Sequence, residues 1–86
     1  MYIVVLSTSA RKALSKLERS VQERVIVALE LLKVDPRPPN AVKLKGMDNV
    51  WRIRVGDYRI VYEVTDTELV VWVVRIADRK DVYRKR

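Results

Sequence analysis

The sequence predicts a single α+β domain, 1–86, in which two N-terminal antiparallel helices pack on an antiparallel β-sheet in the order β-α-α-β-β-β. Three observations lead there. Apolar residues recur at helical spacing between Ala10 and Leu32. The cluster Asp35-Pro36-Arg37-Pro38-Pro39-Asn40 then ends that region, because proline lacks an amide donor and restricts the residue before it. Beyond it, β-branched and aromatic runs are separated by short polar turns up to Ile76. Helices that precede a meander of this kind collect on one face of the sheet.

The elements follow in order. Tyr2-Ile3-Val4-Val5-Leu6 is short and β-branched and predicts a first strand. Ser7, Thr8 and Ser9 each offer an N-cap to a first helix carrying Ala10, Ala13, Leu14 and Leu17 on one face. Ser20 and Glu23 have the spacing of a capping box. They predict a second helix, joined to the first at 18–20, with Val21, Val25, Ala28, Leu29 and Leu32 on its apolar side. Val42-Lys43-Leu44 predicts a short extended piece, and 46–49 a turn. Val50 to Val55 and Tyr58 to Val64 predict a hairpin about Gly56-Asp57. After a turn at 65–68, Leu69 to Ile76 is almost wholly apolar, as expected of a central strand covered on both faces. A charged tail runs from Ala77 to Arg86.

Composition narrows the chemistry. The 86 residues contain no cysteine and no histidine. Disulfides, thiolate metal sites and every histidine-dependent triad are thereby excluded, and a reducing cytoplasm is expected. No signal peptide or membrane span is expected, because the apolar start at 1–6 is too short. If the protein is an enzyme, its chemistry must come from Arg, Lys, Tyr, Asp or Glu, and no cofactor or metal is implied. The formal charge is +7, from 18 basic and 11 acidic residues, which suits a polyanionic partner and equally a solubility surface or a surface for an acidic protein. A domain this small buries only roughly 60% of its unfolded surface, so a protein partner that covers it would add stability.

Alternation in Trp51-Arg52-Ile53-Arg54-Val55 sends Trp51, Ile53 and Val55 into the core and Arg52 and Arg54 to the opposite face. Two neighbouring guanidinium groups suit either a solvated face or a phosphate backbone. Arg59 lies in a run otherwise built for burial. It either pairs with Glu63, which shares its parity, or meets an anion. Arg79 and Tyr83 follow the last strand, and Tyr83 offers both a ring for base stacking and a phenol.

Leu44-Lys45-Gly46, then Trp51-Arg52-Ile53-Arg54-Val55-Gly56-Asp57-Tyr58-Arg59-Ile60-Val61-Tyr62, then Arg79-Lys80-Asp81-Val82-Tyr83, resemble the RelE/ParE toxin superfamily. The resemblance spans nearly the whole chain and is nearest to RelE-like mRNA interferases. It implies the toxin of a type II toxin–antitoxin pair, a ribosome-dependent endoribonuclease. The partners it implies are a cognate antitoxin, mRNA in the ribosomal A site and ribosomal RNA. Attack by a 2′-hydroxyl would leave a 2′,3′-cyclic phosphate, without a metal. The family's strand pair of basic residues matches Arg52 and Arg54, its phosphate clamp Arg59, its late arginine Arg79 and its C-terminal tyrosine Tyr83.

The chain departs from the pattern in two places. Where a lysine serves as base elsewhere, Arg52 keeps its proton and is expected only to hold the phosphate. Where other members carry a late histidine, this chain has Asp78 beside Arg79. The base is left open among Tyr83, Glu63, Asp78 and a ribosomal or mRNA group. The alternative readings are a ParE-like inhibitor of DNA gyrase without nuclease activity and an inactive nucleic-acid-binding paralogue.

Overall fold

A computed structural model describes residues 1–78. Strand β1 (Ile3–Leu6) leads into helices α1 (Thr8–Ser15) and α2 (Arg19–Val34). Then come β2 (Val42–Lys43), β3 (Val50–Val55), β4 (Tyr58–Thr65) and β5 (Val70–Asp78). The five strands lie in the order β1-β5-β4-β3-β2. Both helices stand on one face of this sheet, as predicted. All pairings are antiparallel except β1 with β5, which is parallel. The chain crosses the helical layer between its first strand and the rest of the sheet, so the first and last strands of the described residues run side by side in one direction.

Alternation sorts the hairpin as expected. Ile53 and Ile60 face each other across β3 and β4 and are buried, together with Tyr62 and Val64. Val71, Val73 and Ile76 of β5 join them from the next strand, and Ala10, Val25, Leu29 and Leu32 close the core from the helices. The turn at Gly56-Asp57 links the strands with φ +58 at Gly56, the left-handed value that tight hairpins require at their first central residue. A Cβ at Gly56 would also lie 3.3 Å from the Arg24 guanidinium, which lies across the turn.

Three expectations need correction. The second helix starts at Arg19 with Glu18 as N-cap and no side-chain cap bond, so Ser20 and Glu23 form no capping box. The helix junction is tied instead by Gln22, whose Nε2 donates to the Leu14 carbonyl at 2.9 Å. The last strand runs on to Asp78, two residues into the supposed tail. Nor is it covered on both faces: Trp72 and Val74 are 42% and 47% exposed on the side away from the helices.

β5 also breaks the alternation. A bulge shifts the register so that Val61 faces Arg75 while Tyr62 faces Val73, which leaves Val74 as the extra residue. Ser7 fastens this bulge. Its amide donates to the Val73 carbonyl at 2.9 Å and its hydroxyl to the Val74 carbonyl at 2.8 Å. The same hydroxyl oxygen accepts from the Ala10 amide at 3.0 Å and so caps α1.

The opposite end of the sheet is closed by a polar cluster that sequence reading missed. Arg37, from the proline-rich loop, donates to both carboxylate oxygens of Asp66, at 3.2 and 2.8 Å. Tyr2 donates to the same carboxylate at 2.6 Å, and the Arg37 guanidinium lies 5.6 Å from the centre of the Trp51 ring. Nearby, the buried Tyr62 hydroxyl donates to the Pro36 carbonyl at 2.7 Å. Burial pushes this phenol up to about 12, so it stays protonated as the donor.

Two outcomes follow. Ser7→Ala removes a helix cap and the bulge clamp together and is expected to cost about 1–2 kcal/mol. Urea denaturation would measure that as a lower midpoint at unchanged slope. The second concerns Asp66, whose carboxyl is held below the usual carboxylate range first by the Arg37 bond and then by Tyr2. Its stabilising contribution is therefore present above the unfolded carboxyl pKa and lost as pH falls through the lower folded value. Melting temperature against pH should drop less steeply on the acid side in Asp66→Asn than in the wild type.

Candidate functional site

The face of the sheet away from the helices holds the arginines that alternation sends outward. Register arranges them in rows across the strands. Arg54 of β3, Arg59 of β4 and Ala77 of β5 form one row. Arg52, Val61 and Arg75 form the next, with Val42 of β2 beyond Arg52. Between the two rows lies an open concavity of about 230 Å³, lined by Leu44, Arg52, Arg59, Val61, Arg75 and Ala77. Three guanidinium-bearing residues from three strands thus border one hollow with apolar walls and, among the described residues, no carboxylate in its lining.

Arg59 is the informative member. It is half-buried, and its Nε atom is enclosed without a hydrogen-bond partner among the described residues. A buried donor left unpaired costs about 1–3 kcal/mol, more when the group is charged. The pairing with Glu63 is not made: the ion pairs among the described residues join Arg19 to Glu23, Lys33 to Glu30 and Arg37 to Asp66. Distance explains this, since residues four apart on a strand are separated by about 13 Å. Glu63 sits instead in the row of Val50 and Trp72.

Arg54 lies directly opposite Arg59, exposed beside the hollow and not in its lining. Like charges so placed repel, which an anion between them relieves. Of the acids considered as a base, Glu63 is absent from this lining. Asp78 borders a different hollow of about 680 Å³, shared with Thr8, Lys12, Lys16 and Tyr58 beneath α1. Arg79 and Tyr83 lie outside the described residues.

Arg75 was not foreseen. By strict alternation from Val73 it belongs to the core side, and only the bulge at Val74 turns it outward and Ile76 inward. A hint was present in the sequence: one arginine in the apolar run Leu69 to Ile76 needs either an ion pair or an irregularity that releases it.

The sequence model of the ParE toxin of type II toxin–antitoxin systems matches residues 4–83. The mRNA interferase toxin RelE of Escherichia coli (strain K12) is 33% identical, over 95% of this chain and 90% of that protein. The chain belongs to the RelE/ParE superfamily of type II toxins. In solved structures, the toxin fold is shared with the archaeal RelE–RelB complex of Pyrococcus horikoshii OT3. The match there has a TM-score of 0.82 and 28% identity over 91% of this chain and 94% of that one. The intact E. coli RelBE toxin–antitoxin complex matches at TM-score 0.80 with 31% identity, over 91% and 96% of the two chains.

The toxin's hollow should hold a tetrahedral oxyanion. Sulfate at ten times its dissociation constant is expected to stabilise the wild type by about 1.4 kcal/mol through binding alone. Sulfate also stabilises folded proteins generally, so the measured quantity is the difference in melting-temperature rise between wild type and Arg59→Gln. Equal rises would show that no anion is held there.

Proposed function

We propose that this toxin is an mRNA interferase that acts in the cytoplasm and cleaves mRNA in the ribosomal A site. The observation that carries this reading is the half-buried Arg59, its Nε unpartnered among the described residues, at a hollow that Arg52 and Arg75 also border and that no described acid lines. Such a site is built for a phosphodiester. The relative named an mRNA interferase, similar across nearly its full length, supports the same chemistry.

In the proposed reaction the 2′-hydroxyl oxygen of one nucleotide attacks the adjacent phosphorus. The bond to the 5′-oxygen of the next nucleotide breaks, giving a 2′,3′-cyclic phosphate. The leaving oxygen takes a proton and becomes a 5′-hydroxyl. No metal enters this scheme. Arg59 and Arg54, with Arg79, bear on the phosphate as its negative charge grows, and Arg52 holds the strand. Tyr83 stacks on a base and aligns the 2′-hydroxyl for in-line attack. With Glu63 and Asp78 outside the hollow, the proton of the 2′-hydroxyl goes to Tyr83 or to a group of the ribosome or the RNA.

The partner that restrains this activity is a cognate antitoxin, as in the solved complexes of similar toxins. The chain has a surface suited to one. Val27, Leu31 and Val34 form an apolar stripe along the outer side of α2, 58%, 62% and 70% exposed. That spacing is the i, i+4, i+7 seam that an amphipathic segment covers. The family description that names ParE favours a second reading, inhibition of DNA gyrase. Induction in cells separates the two by whether translation or replication stops first.

Removing one preorganised donor of this kind lowers a rate by about 10²–10³-fold. Arg59→Ala is expected to do so in ribosome-dependent cleavage of a defined mRNA, with an unchanged far-UV CD spectrum, and Arg79→Ala likewise. Normal cutting by both variants would end the nuclease reading.

A further inference from the structure

We propose that Arg75, in the same cross-strand row as Arg52, holds the RNA phosphate next to the one that reacts. The inference rests on the nuclease reading and extends it to a second nucleotide of substrate. The two rows of the outer face are the basis. Arg54 and Arg59 stand opposite each other in one row, and Arg52 and Arg75 flank Val61 in the next. Adjacent rows on one face are separated by two residues of strand, about 6.6 Å. That is comparable to the step between successive phosphates of an extended RNA strand. A chain of nucleotides laid along β4 therefore meets one pair of guanidinium groups per phosphate.

Arg75 suits this role for three reasons. It borders the same hollow as Arg59 and Arg52, so one strand can touch all three. Its approach is set by the bulge at Val74, which the Ser7 amide and hydroxyl hold through the Val73 and Val74 carbonyls. Leu44, Val61 and Ala77 make the surrounding wall apolar, which strengthens a guanidinium–phosphate contact relative to open water. Because its row is one step removed from Arg59, Arg75 bears on binding and register rather than on the charge that grows at the reacting phosphorus.

The test uses the full-length toxin, ribosomes programmed with a short mRNA, and single-turnover cleavage over a range of toxin concentrations. Arg75→Gln is expected to raise the half-saturating concentration about tenfold, the loss of one charge-assisted contact. Its saturating rate should stay within about twofold of wild type, with Arg75→Lys intermediate. The slope of log Kd against log salt for a short single-stranded RNA should become shallower by about 0.7. Arg59→Gln, run in parallel, should lower the saturating rate instead. If Arg75→Gln lowers the saturating rate as Arg59→Gln does, Arg75 acts on the reacting phosphate and the assignment is wrong. If Arg75→Gln changes neither quantity while Arg59→Gln does, Arg75 is only surface charge. If both variants cleave as wild type, the nuclease reading itself has failed.

Discussion

The two-residue repeat of β3 and β4 is the constraint from which both the core and the basic face come. Every residue from Trp51 to Val64, outside the turn, faces one side of the sheet or the other. The two-residue turn at Gly56-Asp57 fixes which residues meet. Isoleucine meets isoleucine at Ile53 and Ile60, and arginine meets arginine at Arg54 and Arg59. Slipping either strand by one residue would carry the arginines into the core and the isoleucines into water. An unpaired buried charge is so costly that no such register competes. The site is therefore specified by the same choice that specifies the fold.

That choice sets repulsion against burial, and magnitudes decide it. Two guanidinium groups about 4 Å apart repel by about 1 kcal/mol in water and about 4 kcal/mol near a protein surface. On the other side of the same strands, Ile53, Ile60, Tyr62 and Val64 are almost wholly buried. Each such side chain contributes about 1.5–3 kcal/mol on burial, so the apolar face outweighs the repulsion of the basic one. The unpaired Nε of Arg59 is tolerated for the same reason. The arginines can thus be held on one face without a carboxylate among the described residues to neutralise them.

Much of this was legible in the sequence because it depends on parity and punctuation. The strand runs, the two-residue turn, the helix spacing and the outward course of Arg52 and Arg54 all follow from rules that act within a few residues. What escaped depends on contacts distant in sequence. The parallel pairing of β1 with β5 joins residues at opposite ends of the chain, and no local pattern distinguishes it from an antiparallel edge. The bulge at Val74 is stabilised by Ser7, 67 residues away. Without it the reading of Arg75 inverts. The capping box failed for a local reason: α2 begins one residue before Ser20, which makes that serine part of the first turn rather than its cap.

Arg37 shows why net charge alone is a poor guide to the site. It is as cationic as Arg59 and lies in the same small domain, yet its guanidinium is committed. Two bonds run to Asp66, a third to the Asn49 side chain at 3.4 Å, and the Trp51 ring lies alongside. This arginine ties the proline-rich loop to the turn between β4 and β5, and with Tyr2 it also secures the start of β1. Arg59, Arg52 and Arg75 are turned by strand alternation and one bulge to a face whose hollow has no acid in its lining among the described residues. The difference between the structural Arg37 and the arginines proposed to bind phosphate is therefore one of partner, not of residue type. Because these three stand on paired strands rather than on a loop, the proposed binding of a phosphate would require little backbone ordering, which leaves more of each contact's energy for holding the substrate in place.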